Sequence, residues 1–564
     1  MAILGIDLGT TNSLAYLWSD QGPVLIKNSL GNSLTPSVVG IDDNGDVVVG
    51  EVARERLIAH PDKTVAEFKR TMGTRKTYML GKTAYTSVEL SSLVLRKIKE
   101  DAEAYLRNSD SSETIDEVII SVPAYFDDAR RSDTKQAAAL AGLNCERIIN
   151  EPSAAALAYL WKHDFRNGTY MIVDFGGGTL DVSVIDSFDR VMEILAVAGD
   201  NQLGGKDFNE AICNEFYTKN GLNRDLLTPE QRASVYRMAE ACKISLSTTP
   251  LSVMSVVINE KKYELVLDNN KLIEIAPEIF ERIAKPIRKV LRDSHLSVES
   301  LEDIILVGGS CKMPTVASYI ASLTGITPDT DIDPYTAIGL GAGVAAGMKT
   351  RAEEFKEVIM TDICPFSLGI STFDTKTGET LMSFIIQRNS MLPTSRMRSY
   401  SAIKDRQTIL DVDIFQGESI IPANNIKLGR LSIKTPPTNK NEHISDVRMT
   451  YDINGILIVD VTTTDGVTTS KVLLSDSNRM SEAEIKAITD KLSKLKVASA
   501  ENEASNLLIA RAEALIEETM NLEREMIIDS LLRYKFIIAN GNGRDIRIAT
   551  DRLTELLDKI EGEY

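Results

Sequence analysis

The chain has 564 residues and a formal net charge of −18 at pH 7, with 43% hydrophobic and 26% charged residues. This length exceeds what a single hydrophobic core supports, so we expect about three or four domains. The acidic balance argues against nucleic acid or an anionic membrane as a partner, because both attract basic surfaces.

The five cysteines lie far apart and form no CxxC pair, which is typical of reduced thiols. The first residues lack the basic and apolar regions of a secretion signal, and no apolar run reaches about 18 residues. We therefore expect a cytoplasmic protein without a membrane-spanning segment.

Two near-copies of one pattern stand in the first 350 residues. MAILGIDLGTTNSLAYL and YMIVDFGGGTLDVSVI each place an aspartate and a Gly/Thr loop between two apolar runs. Such a loop exposes backbone N–H groups that bind phosphate oxygens, and the aspartate suits Mg²⁺. One such hairpin is equally a plain tight turn. The pair, DLGTTNS (7–13) and DFGGGTLD (174–181), predicts two halves of one phosphate clamp.

Strand and helix signals alternate in this region, which predicts an α/β fold. We expect strands at 3–7, 117–122, 170–174 and 303–307, and helices at 130–141 and 152–159.

Two other glycine-rich stretches resemble nucleotide motifs poorly. GDNQLGGKD (199–207) has an aspartate where a P-loop requires Ser or Thr. GLGAGVAAG (339–347) follows no buried strand, so we expect a closely packed helix of small residues there.

The alternation of strand and helix signals ends near residue 355. Residues 357–362 predict a short buried strand. Residues 365–475 alternate short apolar runs with turns, which predicts a β-sandwich. The dipeptides NG at 454–455 and DG at 465–466 are strong hairpin turns.

From residue 481 the sequence predicts a small helical bundle. SEAE (481–484) is a capping box, GNG (541–543) interrupts the helical pattern, and Asp545 is expected to cap the last helix. The apolar residues expected on one face of the first helix are Ile485, Ile488, Leu492 and Leu495.

Several stretches in order resemble the seventy-kilodalton heat-shock chaperones, the DnaK-type proteins. They are the two loops with KRTMG (69–73), SVPAYFDDARR (121–131), RIINEPSAAALAY (147–159), LVGGSCKMP (306–314), CPFSLGI, FQGES, NNIKLG and NGIL. The resemblance implies an actin-like, two-lobed α/β ATPase domain (1–354), an interdomain linker (355–362), an all-β sandwich that binds peptides (363–475) and an α-helical lid (476–564).

The resemblance also implies a function. The protein would be an ATP-dependent chaperone of the stress-response type that binds extended apolar segments of unfolded proteins. ATP binding and hydrolysis would switch peptide affinity, and a J-domain co-chaperone would stimulate hydrolysis. The implied cofactors are ATP, Mg²⁺ and K⁺.

Catalytic roles carried over from the resemblance fall on Lys69, Glu151, Asp174 and Thr179. Lys69 would orient the attacking water and neutralise charge on the γ-phosphate, and Glu151 would position water and the metal shell. Taken alone, Lys69 is typical of a surface lysine and Glu151 of a carboxylate at a helix N-terminus.

The implied metal ligands are Asp7 and Asp174 for Mg²⁺, mostly through water, and Asp181 for K⁺. The implied nucleotide-binding residues are Gly9, Thr10, Thr11, Asn12, Gly176, Gly177, Gly178, Gly204, Gly205, Glu240, Lys243, Ser247, Gly308, Gly309, Ser310 and Lys312.

Coupling residues follow from the same resemblance. Pro123 and Arg131 match the switch between nucleotide state and substrate domain, and Arg147 and Asp362 match the docking place of the J-domain co-chaperone. For the bound peptide, the matching residues are Phe373 and Ile403 in an arch over it and Leu410 in a central pocket. Each of these three is also compatible with ordinary sandwich core.

The chain departs from the family in three places. The linker ends in a polar residue, Thr361, and the helical region is short, which disfavours tight peptide trapping. At the adenine end, Ile244 and Lys312 occupy positions where some relatives have arginine, and Tyr335 stands where relatives commonly have aspartate. Weaker stacking on adenine predicts fast ADP release and a dispensable nucleotide-exchange factor.

Two other functions use the same two-loop clamp. One is a small-molecule kinase of the sugar-kinase type, and the other is a filament protein of the actin type. The sandwich and the bundle behind a short linker disfavour both.

Overall fold

The computed structural model describes residues 2–19, 21–109, 112–350, 355, 358–374, 378–452, 456–473, 482–493, 495, 500–519 and 521–563. The predicted turn at 454–455, the capping Ser481, part of the predicted linker strand and the domain borders expected at 354 and 475–476 lie outside these residues.

Strands and helices alternate through residues 2–350. The strands are β1 Ala2–Leu8, β2 Asn12–Ser19, β3 Gly22–Ile26, β4 Thr35–Pro36, β5 Val38–Ile41, β6 Val47–Val49, β7 Thr64–Ala66, β8 Thr77–Leu80, β9 Thr83–Thr86, β10 Ile115–Val122, β11 Asn144–Asn150, β12 Gly168–Phe175, β13 Leu180–Phe188, β14 Val191–Asp200, β15 Leu251–Ile258, β16 Lys261–Asp268 and β17 Asp303–Val307. The helices are α1 Glu51–Ala59, α2 Ser87–Asn108, α3 Asp128–Leu140, α4 Glu151–Lys162, α5 Gly205–Asn220, α6 Pro229–Ser245, α7 Asn269–Ile275, α8 Pro277–Ser294, α9 Pro314–Thr324 and α10 Ala337–Lys349. All the strands and helices predicted there are confirmed, with small shifts at their ends.

The later residues form strands and then helices. The strands are β18 Ile359–Thr361, β19 Leu368–Phe373, β20 Thr380–Ile386, β21 Thr394–Ser401, β22 Gln407–Gln416, β23 Ile426–Thr438, β24 His443–Tyr451, β25 Leu457–Thr463 and β26 Thr468–Leu473. The helices are α11 Glu482–Ser493, α12 Ala500–Glu518, α13 Asn521–Asn540 and α14 Gly543–Glu563. Among the described residues, no helix combines the length and apolar character needed to cross a membrane.

Two sheets organise the first part of the chain. One has the order β11-β10-β1-β2-β3 and the other β17-β12-β13-β14-β18. In each, one antiparallel hairpin (β1–β2 or β12–β13) holds one copy of the repeated loop, and the first strand of that hairpin pairs in parallel with a later strand. The repeated sequence pattern therefore corresponds to a repeated structure.

Each sheet has its own apolar core. We call the first sheet with α1, α2 and α3 lobe I, and the second sheet with α5 to α9 and the β15–β16 hairpin lobe II. A third core joins the two lobes, because α4 and α10 pack between Ile119 and Ile149 of the first sheet and Ile172 and Ile185 of the second.

Helix α10 confirms the predicted helix of small residues. A Cβ atom on Gly341 would lie 1.7 Å from the carbonyl oxygen of Ala154 in α4, and one on Gly5 in β1 would lie 2.2 Å from the carbonyl carbon of Ala342. Since such distances are impossible for a real side chain, glycine is what allows these backbones to touch.

The strand predicted at 357–362 is observed as β18, which pairs in parallel with β14. The predicted burial is only partly right: Val358 is buried, whereas Ile359 is 56% exposed. The reason is topological, since β18 is the edge strand of its sheet and has a neighbour on one side only.

The region from β19 to β26 consists of two four-stranded sheets, β20-β19-β22-β23 and β21-β24-β25-β26. One core contains buried residues from both sheets, such as Val412 and Ile414 from the first and Val447 and Val459 from the second. The predicted sandwich is therefore observed, and the predicted DG turn joins β25 to β26, with Gly466 at a φ of 80°.

Helices α12, α13 and α14 share a core of their own, and we call them the bundle. The cap of α14 corrects a prediction. The side chain of Asn542, rather than that of Asp545, accepts hydrogen bonds from the first-turn N–H groups of Arg544 and Asp545, at 3.0 and 3.1 Å. Asp545 instead lies within the first turn.

The helices α11 and α12 lie against lobe I. Leu492 of α11 is buried in the core of lobe I, with Ile488 and Leu495 partly buried beside it. Ala510 of α12 packs against Val52 of α1.

Ion pairs accompany this apolar contact. Lys97 of α2 lies 2.7 Å from Asp101 and 3.1 Å from Glu503 of α12, and all three side chains are nearly buried. Glu513 of α12 lies 3.3 Å from the ring of His60 and 3.7 Å from the guanidinium of Arg56. The geometry of both clusters depends on α12 lying in this one position.

We expect Gly341→Ala to destabilise the protein, because its methyl group would meet the backbone of Ala154. Overpacking of this kind costs about 1–3 kcal/mol, which would lower the midpoint of thermal unfolding. Gly543→Ala is the matched control, since a Cβ atom there meets open space. Equal midpoints for the two variants would contradict the packing described here.

Candidate functional site

A cleft between the two lobes has both Gly/Thr loops on its walls. Its deep part is a cavity of about 320 Å³, which adjoins an outer space of about 1250 Å³. The predicted residues that line the deep part are Asp7, Gly9, Thr10, Thr11, Asn12, Lys69, Pro123, Glu151, Asp174, Gly176, Gly177, Gly178, Thr179, Gly205, Glu240, Lys243, Ser247, Gly308, Gly309 and Ser310.

The floor of the cleft contains a buried ion pair. The Nζ atom of Lys69 lies 2.8 Å from Oε1 of Glu151, and both side chains are at least nine-tenths buried. Lys69 also stands 5.4 Å from the centre of the Phe126 ring, where the ring face attracts a cation. The alternative of a surface lysine is therefore wrong.

Three aspartates next to this pair carry raised pKa values. Burial raises the pKa of Asp7 to about 7, and the charge of Glu151 adds to the effect while Lys69 opposes it. Burial and Glu151 raise the pKa of Asp181 to about 8. The pKa of Asp174 is raised by burial and then by the neighbouring carboxylates. The site therefore holds more carboxyl groups than its lysine can compensate, and their ionised forms are disfavoured.

Asp181 gives the clearest indication of a cation-binding position. Its side chain is buried, and neither carboxylate oxygen has a hydrogen-bond partner within the described part of the chain. Oxygen atoms of carboxylates are the ligands that hard cations prefer. The residues present therefore fit Mg²⁺ held by Asp7 and Asp174 and a second cation at Asp181.

The two Gly/Thr loops approach each other closely. A Cβ atom on Gly177 would lie 2.1 Å from Oγ1 of Thr11, so glycine keeps this space between the loops open. Gly204 and Gly205, at the start of α5, support the second loop: the N–H of Gly205 donates to the carbonyl of Gly176 at 3.0 Å. Gly204 packs on the backbone of Gly178 and is not a lining residue.

Four polar or aromatic residues of the cleft were not predicted. Arg70 donates through Nη2 to the carbonyl of Gly178 at 3.0 Å, and Lys206 lies 3.1 Å from Glu67 across the cleft. Tyr236 of α6 completes the set. Arg70 follows Lys69 directly, but its reach across to lobe II depends on the tertiary fold.

The other end of the cavity is formed by α6 and the loop after β17. Lys243 donates to the carbonyl of Gly205 at 3.0 Å, and burial lowers the pKa of Lys243. Ser310 donates to the carbonyl of Gly176 at 2.8 Å. Lys312 lies 2.8 Å from Asp333 and 5.0 Å from the ring centre of Tyr335, which places it outside the lining of the cavity.

A chain of hydrogen bonds leads from the cleft to Asp362, the residue that follows β18. Arg131 donates to the carbonyl of Phe126 at 3.0 Å and to the side chain of Asn150 at 2.6 Å. Asn150 donates to Asp362 at 2.5 Å, and Ser153 donates to the same carboxylate at 3.2 Å. Asn150 was not predicted, although it directly precedes Glu151.

Asp362 and Arg147 interact electrostatically at this place. Burial raises the pKa of Asp362, and hydrogen bonds and the charge of Arg131 oppose that rise. Burial lowers the pKa of Arg147, which the charge of Asp362 partly offsets.

The three predicted peptide-binding residues lie in the sandwich, away from the cleft. Phe373 ends β19 and Ile403 lies between β21 and β22, and both are more than two-fifths exposed. Leu410 of β22 is partly buried against the sandwich core. Other exposed apolar side chains of the same region are Met397, Ile409, Ile420, Ile421 and Ile426.

Asp181→Asn tests the unpaired carboxylate. Because the folded-state pKa of Asp181 is raised from its usual 3.8 to about 8, ionisation between these values destabilises the cation-free wild type as pH rises. The asparagine does not ionise. In buffer without K⁺ or Mg²⁺, we expect the thermal midpoint of the variant minus that of the wild type to be larger at pH 9 than at pH 6. Each kcal/mol of destabilisation that the variant avoids should add about 2–4 °C to this difference.

Added K⁺ should stabilise the wild type and leave the Asp181→Asn variant unchanged. A cation-free wild type that is more stable than the variant at pH 9 would contradict the prediction.

One known protein family matches this chain. The family model described as Hsp70 protein matches residues 3–79 and 75–527. These ranges contain both loops, the floor of the cleft, the linker, the sandwich and the helices α11 and α12. The chain belongs to the Hsp70 protein family.

Proposed function

We propose that this protein is an ATP-driven chaperone with an actin-like ATPase domain (1–354), a linker (355–362), a peptide-binding β-sandwich (363–475) and an α-helical lid (476–564). Family membership supports chaperone function, ATP binding and the use of Mg²⁺ in general. The observation that carries the ATPase assignment is the buried pair of Lys69 and Glu151 between two Gly/Thr loops.

In this proposal the two loops bind the phosphates through backbone N–H groups and the hydroxyls of Thr10, Thr11 and Thr179. Asp7 and Asp174 hold Mg²⁺ mostly through water, and Asp181 holds K⁺. The bound cations neutralise phosphate charge. Phosphoryl transfer depends mainly on such positioning and electrostatics.

Lys69 and Glu151 act on the attacking water. The ammonium group of Lys69 attracts the γ-phosphate and the water oxygen, and the carboxylate of Glu151 accepts a hydrogen bond from the water. Because both side chains are buried, their charges are screened little by solvent and act strongly on the reacting atoms.

The hydrogen bonds from Arg131 through Asn150 to Asp362 support coupling between nucleotide state and the linker. Asn150 adjoins Glu151, so a shift at the cleft floor reaches the residue that follows β18. We assign Pro123 and Arg131 to this switch, and Arg147 and Asp362 to docking of a J-domain co-chaperone that stimulates hydrolysis.

The adenine end supports fast release of ADP. Lys312 is held by Asp333 and Tyr335 rather than directed into the cavity, and Ile244 is half exposed. The protein therefore offers adenine less planar stacking and binds ADP less tightly. Because ADP then leaves without help, a nucleotide-exchange factor is dispensable.

A small-molecule kinase on the same scaffold is not favoured. The family match continues through the sandwich and into the helices, and a kinase has no use for an apolar peptide-binding sandwich. The same C-terminal half disfavours an actin-type filament.

Lys69→Ala should retain ATP binding and reduce the rate of hydrolysis by about 100-fold or more, because the lost charge acts mainly in the transition state. Single-turnover hydrolysis and equilibrium ATP binding measure the two effects separately. Lys82→Ala, an exposed lysine of the same lobe, is the control. Near-normal turnover in Lys69→Ala would remove Lys69 from the mechanism.

Leu410→Phe should weaken binding of an extended apolar peptide by about tenfold, because the larger ring fills the pocket that takes one aliphatic side chain. Anisotropy of a labelled peptide measures the affinity, and peptide-stimulated ATP turnover should fall in parallel. Val472→Phe, at an exposed position of the other sheet, is the control. Unchanged affinity would make Leu410 a core residue, and ATP turnover that responds to a small sugar instead of peptide would favour the kinase.

A further inference from the structure

The bundle and the two lobes enclose a second cavity of about 380 Å³, which we call the joint cavity. Its walls come from α1 of lobe I, from α6 and β15 of lobe II, and from α12, α14 and Thr519 of the bundle. It therefore exists only while the bundle lies against the lobes. Its volume equals that of about twelve water molecules in the liquid.

The joint cavity is lined by apolar, hydroxyl-bearing and charged residues together. Its apolar residues include Met238, Leu515 and Val257, which lies on the same face of β15 as Ser255. Ser255 is nine-tenths buried, and its Oγ atom has no hydrogen-bond partner among the described residues. Thr519 donates to the carbonyl of Leu515 at 2.7 Å, which leaves its oxygen able to accept. An apolar pocket with a few convergent polar groups is typical of a small-molecule site.

The charges on the walls are balanced. Glu55 and Glu561 carry negative charge, and Arg237 and Arg511 carry positive charge. Arg511 lies 2.7 Å from Glu561 and so already has an ionic partner. A charged ligand would upset this balance in a partly buried space, whereas an uncharged ligand leaves it intact.

The joint cavity adjoins the nucleotide cleft. Glu55, Arg237 and Ala241 line both the joint cavity and the outer part of the cleft. Helix α6 presents Glu240 and Lys243 to the nucleotide cavity from a neighbouring face. Helix α1 similarly lines both spaces, so the walls that must separate for nucleotide to leave are also walls of the joint cavity.

We propose that the joint cavity binds an uncharged small molecule with an apolar body and one hydroxyl or carbonyl group that pairs with Ser255. The bound molecule contacts α1, α6 and the bundle together, which holds the cleft closed and slows release of nucleotide. This regulatory site goes beyond the proposed chaperone function, and its existence does not depend on peptide binding.

2-Naphthol is a suitable probe, because it is uncharged, largely apolar and carries one hydroxyl. We expect saturable binding to the full-length protein with Mg²⁺ and ATP, followed by the probe's fluorescence. Ser255→Phe fills the cavity and should weaken this binding at least tenfold. Val253→Phe is the matched control, because Val253 lies two residues earlier on the same face of β15, is exposed, and does not line the cavity.

Release of a fluorescent ADP analogue gives the second readout. 2-Naphthol should slow release several-fold in wild type and in Val253→Phe but not in Ser255→Phe. If circular dichroism shows that Ser255→Phe is unfolded, Ala241→Leu fills the same space from α6. Absence of saturable binding, or equal binding by the cavity-filling and control variants, would overturn the site. Binding without slower release would overturn its regulatory role.

Discussion

Buried negative charge is the constraint on which this structure depends. Asp7, Asp174, Asp181 and Glu151 share a space largely withdrawn from water, with Lys69 as the facing cation. Burying unpaired carboxylates is unfavourable unless further positive groups are bound. The paired hairpins and the short turn that bears the lysine bring these charges together, and in the proposed function bound cations would compensate for their burial.

One member of this cluster is also next to the hydrogen bonds that support the proposed coupling. Glu151 begins α4, and Asn150 just before it completes the hydrogen bonds from Arg131 to Asp362. In the proposed mechanism, the carboxylate that acts on the attacking water is thus covalently next to the amide that contacts Asp362. Helix α4 also packs tightly on α10, and both helices lie between the two lobes.

Much of the fold and both loops of the candidate site could be predicted from the sequence, because the patterns that indicate them involve residues close together in the chain. The two loops, the alternation of elements, the small-residue α10 and the DG turn each depend on residues close in the chain. The exposure of Ile359 was missed because it follows from the tertiary position of β18 at the edge of its sheet. The cap of α14 was missed for a local reason, since Asn542 and Asp545 stand three residues apart and both residue types can accept first-turn hydrogen bonds. The joint cavity has no sequence signal at all.

The ion pairs between α12 and lobe I determine how specific and how strong this contact is. Lys97 with Glu503, and Glu513 with Arg56, lie largely out of water. Such pairs lose most of their Coulomb attraction to desolvation, yet a misplaced partner leaves a charge buried and alone. The docked position is therefore sharply selected while its net binding energy stays modest. The contact between α12 and lobe I is thus specific in geometry and weak in free energy, so a small change in free energy is enough to separate the two.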